Sequence, residues 1–262
     1  MKLFFSGISD IGKRRSTNQD SFRVKEYGCG AVLGVVCDGM GGARGGQVAS
    51  RIAVDKFVEA VDVLMEPLKS GSKAPGEFQV AETLLEGVYN ANIEIYETAK
   101  RKQEFSGMGT TLVASLVIGR FIYTVNVGDS RMYLADSDRI VQITHDHSYV
   151  QYLVDIGKMT TEEARVSKNK NIITRVVGTE KELEPDIFLT EIKRTSADTS
   201  RIHILLCSDG LTNHISPEDV YRTIIQGDEF DGDNTRGIVA ELIEKANADG
   251  GSDNITAVLI SV

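Results

Sequence analysis

Short apolar runs that stop at aspartate and glycine recur along this chain of 262 residues. The clearest run covers residues 32–37, which are rich in valine, and it meets Asp38 followed by a glycine-rich stretch up to Gly46. A short β-branched run bounded by glycines is typical of a buried strand. The glycines after it let backbone groups approach a ligand closely. The pattern therefore predicts a buried strand that ends at Asp38.

Three other apolar runs lie beside an aspartate and a nearby glycine in the same way. Together with Asp38, these acidic positions are Asp129, Asp209 and Asp253. A buried carboxylate needs a cation or several hydrogen-bond donors. The four positions offer only oxygen ligands, without the nitrogen of histidine or the sulfur of cysteine. Hard divalent cations prefer oxygen ligands, so the set favours Mg²⁺ or Mn²⁺ over Zn²⁺. For each aspartate taken alone, a solvated turn remains the alternative.

The periodicity of apolar positions predicts two long helices, at residues 43–65 and 79–102, separated by a loop at 66–76 that contains proline and glycine. Strand-like runs then follow one another from residue 109 to residue 143, and two helices are predicted to start near Ser216 and Thr235. Consecutive strands with little helical crossover favour antiparallel sheets.

A different pattern occupies residues 149–178. Ser148 is a candidate cap for a short helix, and Thr160 with Glu163 matches a capping box that should start another. Residues 166–171 are rich in lysine and asparagine, which indicates a solvated and mobile stretch. Such an insertion between strands is either a lid or substrate platform, or a plain surface excursion, and composition alone leaves both open.

Composition narrows the class of protein. The formal net charge of -9 argues against nucleic acid as a partner. No apolar stretch approaches the ~20 residues of a membrane span, and the N-terminal apolar patch is too short for a signal peptide. Cys29, Cys37 and Cys207 lie in or near apolar runs without CxxC spacing, which is typical of reduced core cysteines. We therefore expect a cytoplasmic protein with no membrane or nucleic-acid partner.

Eight short stretches together resemble a known family. They are RSTNQD at 15–20, DGMGG at 38–42, GTT at 109–111, GDSR at 128–131, THDHS at 144–148, ITR at 173–175 with Gly178, SDGL at 208–211 and SDN at 252–254. Their types and order resemble the metal-dependent serine/threonine phosphatases of the protein phosphatase 2C type, in the compact bacterial form. The stretches run from near residue 10 to the C-terminus, so the resemblance covers almost the whole chain.

The resemblance implies an α+β fold, a four-layer α-β-β-α sandwich with two central antiparallel sheets flanked by helices. Residues 1–262 would form a single catalytic domain, in which residues 149–178 form a flap beside the cleft. It also implies that Asp38 bridges two metals. By the same resemblance, the Gly39 carbonyl would complete the first metal site, and Asp209 and Asp253 would hold the second metal. Asp129 together with Asp209 would hold a third metal. Asp20 would bind metal-bound water, and Arg15 would bind the substrate phosphate.

The activity implied is hydrolysis of phosphoserine and phosphothreonine monoesters in proteins by water that the metals activate, with two Mn²⁺ or Mg²⁺ ions in the core site. Many animal members have a histidine, proposed as proton donor, where this chain has Met40, and often a glutamate where it has Gln19. Neither difference removes a metal ligand, but the proton-donor assignment does not carry over. Partners would be phosphoproteins made by a serine/threonine kinase, and we expect a monomer.

Two alternatives stay open. One is a pseudo-enzyme that keeps the fold in order to bind a partner; such proteins usually lose metal carboxylates, whereas Asp38, Asp209 and Asp253 are all present. The other is a two-metal hydrolase of a different phosphoester, such as a nucleotide or a diester. The acidic charge weakens that hypothesis for polynucleotides.

Overall fold

The computed structural model of the protein describes residues 2–28, 30–69, 73–193, 201–230 and 234–262, without the side chains of Ala43, Lys69, Glu229 and Phe230. The strands are β1 (Phe4–Asp10), β2 (Asp20–Gly28), β3 (Ala31–Met40), β4 (Gly109–Thr110), β5 (Leu112–Ile118), β6 (Phe121–Val127), β7 (Arg131–Ala135), β8 (Ile140–Gln142), β9 (Asp186–Glu191), β10 (His203–Cys207) and β11 (Ile255–Ser261). The helices are α1 (Gly42–Lys69), α2 (Glu77–Arg101), α3 (Tyr149–Asp155), α4 (Thr161–Val166), α5 (Asp209–Thr212), α6 (Pro217–Phe230) and α7 (Thr235–Ala248).

The strands form two antiparallel sheets. One sheet has the order β1-β11-β10-β7-β8, and the other has the order β2-β3-β5-β6-β9, with β4 paired to the end of β3. Helices α1 and α2 cover the outer face of the second sheet, and α6 and α7 cover that of the first. The predicted α+β, four-layer sandwich with antiparallel sheets is confirmed.

Strand β3 shows why its sequence is apolar without alternation. Leu33 and Val35 pack toward the helices, whereas Val32 and Val36 pack against the other sheet. A strand that is buried on both faces reads as a continuous apolar run. Gly34 lies where an added Cβ would be 2.7 Å from a methyl group of Leu206 on the facing sheet, so the two sheets approach closely there.

Two predicted boundaries are wrong. Helix α1 continues through Pro67 to Lys69, so residues 66–69 of the predicted loop are helical. Leu68, which follows Pro67, is buried, so burial of its side chain favours the continued helix although a proline inside a helix is costly. Residues 70–72 of that loop lie outside the described residues, as does Cys29. The other two cysteines, Cys37 and Cys207, are buried and free.

The second correction concerns the end of β3. The strand does not end at Asp38 but continues to Met40, because Gly39 and Met40 pair with Thr110 and Gly109 of β4. Asp38 therefore projects from within a paired strand. An added Cβ at Gly39 would overlap the carbonyl of Gly46 near the start of α1, so only glycine fits there.

The insertion at residues 149–178 contains two short helices, and both predicted caps are confirmed. The Ser148 side chain accepts from the backbone of Gln151 at the start of α3, and Thr160 with Glu163 forms the capping box of α4. A bridge between Ser148 and Ile173 closes the insertion at its base. Within the described residues, the helices are all too short or too polar to cross a membrane.

Candidate metal centre

Five carboxylates converge at one end of the sandwich, where the strands that carry or adjoin them begin or end. Asp20 at the start of β2 lies directly opposite Asp38 of β3. The remaining three, at turns and at a helix start, are Asp129 after β6, Asp209 at the start of α5 and Asp253 before β11. Burial first, and then the charges of the other four, raise the pKa of Asp38 well above its ordinary value. The sequence-predicted acidic positions therefore form one electrostatic cluster.

Asp20 is held by hydroxyl groups from the other sheet. Its Oδ2 accepts hydrogen bonds from Ser208 Oγ at 2.8 Å and from Thr256 Oγ1 at 2.6 Å. Burial raises the pKa of Asp20 to about 7, and these two hydrogen bonds oppose that shift. Sequence reasoning assigned no role to either hydroxyl, although Ser208 opens the stretch at 208–211 and Thr256 follows the stretch at 252–254. Asp20 thus fastens the start of β2 to the end of β10 and the start of β11.

Asp209 and Asp129 each leave an oxygen without a partner. Asp209 Oδ2 accepts from Asn213 Nδ2 at 2.9 Å. Burial, followed by the charge of Asp253, raises the pKa of Asp209, and hydrogen bonds with Asp38 and Asn213 oppose the rise. Burial and then Asp209 raise the pKa of Asp129.

These observations test whether the residues fit a divalent cation. Among the described residues, the buried carboxylate oxygens without a hydrogen-bond partner are Oδ1 of Asp20, Asp129 and Asp209. An unpaired buried oxygen beside other carboxylates is costly unless a cation or a proton compensates it. An all-oxygen set suits Mg²⁺ or Mn²⁺. The donor chemistry therefore fits such an ion.

The side chains are not, however, gathered into a finished coordination shell. Within the part of the chain that the structure describes, no three acidic, histidine or cysteine side chains group closely enough to hold one ion. Asp253 is directed elsewhere, because its Oδ2 accepts from Arg15 Nη2 at 2.7 Å and its Oδ1 accepts from the Asn254 backbone at 2.8 Å. The Arg15 guanidinium is thus the cationic partner of Asp253.

The loop that carries Arg15 is fixed by one side chain that sequence reasoning did not assign. Asn254 is buried; its Oδ1 accepts from the Gln19 backbone, and its Nδ2 donates to the carbonyls of Ile11 and Thr17. A buried asparagine with three such bonds holds the loop at two ends. The signal in the sequence is its position directly after Asp253.

A cleft of about 290 Å³ opens beside the cluster, between the insertion and the start of α6. Asp129 and Asp209 lie on its wall, and Arg165 and Lys170 of the insertion contribute cationic side chains. Lys170 is near enough to Asp209 to favour the charged form of that carboxyl. The cleft can thus receive an anionic group between the carboxylate cluster and the insertion.

Behind the cleft, charged groups support the base of the insertion. Arg131 binds Asp146 through two guanidinium nitrogens at 2.6–3.0 Å, a paired geometry that positions both groups. His147 Nδ1 accepts from the Gly128 backbone, next to Asp129, and its Nε2 lies 3.1 Å from Asp186. Burial lowers the pKa of His147. This ring is therefore used structurally.

The other three histidines also have structural partners. His145 contacts Asp155 on α3, and His203 contacts Ser261 on the neighbouring strand. His214 contacts Ser252, next to Asp253. Each described ring thus has its polar contact away from the carboxylate oxygens of the cluster.

Comparison with known proteins gives consistent matches. Residues 11–254 match the family model described as protein phosphatase 2C. The chain is 36% identical to the serine/threonine phosphatase stp of Listeria innocua over 253 residues, which cover 96% of this chain and 93% of that protein.

Solved structures share the fold. The serine/threonine phosphatase Stp1 from Staphylococcus aureus superposes with a TM-score of 0.84 at 32% identity, covering 100% of this chain and 96% of that one. The catalytic domain of the phosphatase PstP, solved in complex with two manganese ions, superposes with a TM-score of 0.78 at 30% identity, covering 99% and 98%.

Proposed function

The chain belongs to the protein phosphatase 2C family, and from this membership we propose that it is a metal-dependent protein serine/threonine phosphatase. The observation that carries the proposal is the convergence of five carboxylates, three of them with an unpartnered buried oxygen, next to Arg15. A relative of the same fold was solved with two manganese ions, which supports Mn²⁺ or Mg²⁺ as the cofactor.

We assign the metal ligands as the resemblance implies. Asp38 would contact both ions, the Gly39 carbonyl would complete one site, and Asp209 with Asp253 would complete the other. When bound, such a pair of ions lowers the pKa of water and neutralises charge on phosphoryl oxygens. Asp20 would bind a metal through an intervening water molecule, which suits its position opposite Asp38. Asp129, whose Oδ1 is unpartnered, would hold a third ion together with Asp209.

Arg15 is the proposed ligand of the substrate phosphate. Its planar guanidinium can pair with two phosphate oxygens at once. The side chain is half exposed and its present partner is Asp253, so phosphate and carboxylate compete for the same donor. Binding of metal to Asp253 would release Arg15 toward the phosphate.

The insertion at residues 149–178 is the proposed flap. Support comes from the cleft that it forms with the start of α6 and from the cationic side chains that it places there, Arg165 and Lys170. These groups would contact the phosphoprotein near the phosphorylated residue.

We propose that the substrates are phosphoproteins made by a serine/threonine kinase, and that residues 1–262 act as a single catalytic domain and a monomer. The cytoplasm is the proposed compartment, which the two buried free cysteines, Cys37 and Cys207, support. A pseudo-enzyme is disfavoured because all the candidate carboxylates are kept.

The deciding experiment is Mn²⁺-dependent release of phosphate from a phosphothreonine peptide, with EDTA and Asp38→Asn as controls. We expect turnover with Mn²⁺, loss of turnover after chelation, and recovery on adding metal back. A nucleotide and a phosphodiester are assayed in parallel. Faster turnover of either of those than of the peptide would instead support a two-metal hydrolase of a nucleotide or a phosphodiester.

A further inference from the structure

His214 lies between the two segments that carry Asp209 and Asp253. Helix α5 begins at Asp209 and ends two residues before His214, and backbone bonds from Asn213 to Asp209 and from His214 to Leu211 continue the turn. The imidazole reaches across to Ser252, directly before Asp253. The ring is therefore a link between the two carboxylates assigned to one metal.

The hydrogen bonds of the ring determine its tautomer. Nε2 lies 3.0 Å from the backbone nitrogen of Ser252, and Nδ1 lies 3.0 Å from Asp249 Oδ2. A backbone N–H can only donate, so Nε2 is the acceptor and Nδ1 carries the proton, which it donates to Asp249. The side chain of His214 is only 10% exposed, so the ring is held on both sides.

The same atoms have the connectivity of a hydrolytic triad, because Ser252 Oγ also lies 2.8 Å from Nε2. The lone pair that would take the proton of Ser252 already accepts from the backbone N–H of that residue. Asp249 is 66% exposed, unlike the buried acid of such triads. The contact thus holds the backbone before Asp253 and does not prepare a nucleophile.

We propose that His214 is a positioning residue that fixes Asp253 relative to Asp209, an inference that rests on the metal assignments of the proposed function. A second contact supports it: Gly210, next to Asp209, has no room for a Cβ against the carbonyl of Asn254, next to Asp253. The glycine contact sets how close the two segments approach, and the histidine sets the direction of the loop. Groups that orient metal ligands typically account for about 10–100-fold in metal affinity.

The test is Mn²⁺ binding by the full chain, measured from the electron paramagnetic resonance signal of free Mn²⁺. His214→Ala should weaken the binding of one Mn²⁺ by about tenfold, while circular dichroism shows an unchanged fold. His214→Gln should recover part of the loss, because its amide oxygen can accept from Ser252. Ser252→Ala keeps the backbone N–H and should bind Mn²⁺ as the parent does. The matched control is His145→Ala, a histidine paired with an exposed aspartate on α3.

The outcomes separate this inference from the proposed function. A parent protein that binds no Mn²⁺ contradicts the proposed function itself. A parent that binds while His214→Ala binds equally well overturns only the positioning role. Loss of phosphate release in Ser252→Ala with intact Mn²⁺ binding would also overturn it, in favour of a nucleophilic serine. If His214→Ala does not fold, Asp249→Ala at the exposed end of the network should still weaken Mn²⁺ binding, and unchanged binding there would contradict the proposal.

Discussion

The guanidinium of Arg15 and the carboxylate of Asp253 form an ion pair, with Nη2 2.7 Å from Oδ2. The pair joins a proposed phosphate ligand to a proposed metal ligand. Its side chains are 53% and 27% exposed, and an ion pair this exposed contributes little to stability. It can therefore exchange partners at small cost when metal and phosphate bind.

Arg15→Ala should raise the KM for a phosphothreonine peptide by about tenfold or more and lower kcat much less, because the guanidinium binds phosphate in the ground state as well as in the transition state. Mn²⁺ affinity should not fall, since Asp253 loses a competing cation. Steady-state kinetics and Mn²⁺ titration measure both. The control is Arg14→Ala, the exposed neighbour. A collapsed kcat with an unchanged KM would mean that Arg15 acts on the transition state alone.

Asp38→Asn and Asp209→Asn should each lower kcat by about 100-fold or more at saturating Mn²⁺, since each removes a charged group from the proposed metal pair. The metal-free variants should melt at or above the temperature of the parent, because a like charge leaves a buried cluster. Asp55→Asn, in a loose surface pair with Arg23, is the control. Near-normal turnover of metal-saturated Asp38→Asn would end the two-metal hypothesis.

The stability of the metal-free protein should fall as pH rises from about 4 to about 7. Burial raises the pKa of Asp20 from 3.8 to about 7 in the folded state, so in this window the folded protein binds more protons than the unfolded chain, and the free energy of unfolding declines with pH. Thermal melts in EDTA at several pH values measure it. Asp20→Asn should flatten the slope, and Mn²⁺ should restore stability at pH 7. A metal-free protein whose free energy of unfolding rises steadily up to pH 7 would contradict the raised pKa of Asp20.

Gly39→Ala should destabilise the protein by about 1–3 kcal/mol or more, because its Cβ would overlap the Gly46 carbonyl and push α1 from the end of β3. Activity should fall as well, because a shift of the backbone at Gly39 would also displace the neighbouring Asp38. Chemical denaturation and phosphate release are the two measurements. Gly76→Ala is the control: its φ is -72° and an added Cβ meets nothing within 4 Å. Equal stability of the two variants would show that α1 can move freely.

Lys170→Ser should change kcat/KM among phosphoprotein substrates several-fold while leaving hydrolysis of a small aryl phosphate nearly unchanged. The reason is that Lys170 belongs to the proposed flap and lines the cleft, so we expect it to contact the protein part of a substrate, which an aryl phosphate lacks. Lys168→Ser, on an exposed residue of the same stretch, is the matched comparison and should have less effect. Equal losses on both kinds of substrate in Lys170→Ser would instead place this lysine with the catalytic residues.

Much of the framework was predictable because its signals are local. The valine-rich run before Asp38, the apolar run before Asp209 and the capping box at Thr160 each show in a few consecutive residues, and the structure places a strand or helix at each. The antiparallel sheets followed from the order of these elements, and the four-layer sandwich followed from the family resemblance.

The remaining features depend on contacts between distant parts of the chain. The extension of β3 beyond Asp38 needs β4 as its partner, some seventy residues further on. The hydroxyls that hold Asp20 come from positions 208 and 256, and the bond from Ser252 to His214 spans two helices. Side chains that meet only after the sheets have stacked leave no periodic pattern in the sequence.

The two sheets each supply part of the carboxylate cluster. Asp38 comes from one, whereas Asp209 and Asp253 flank strands of the other. Between the sheets lie apolar contacts, such as Leu206 against Gly34, which are non-directional. A cation bound by carboxylates from both sheets would therefore link the two sheets, and its affinity would depend on how the sheets are aligned. Distant substitutions in the apolar layer that shift one sheet along the other will alter metal binding without touching a ligand.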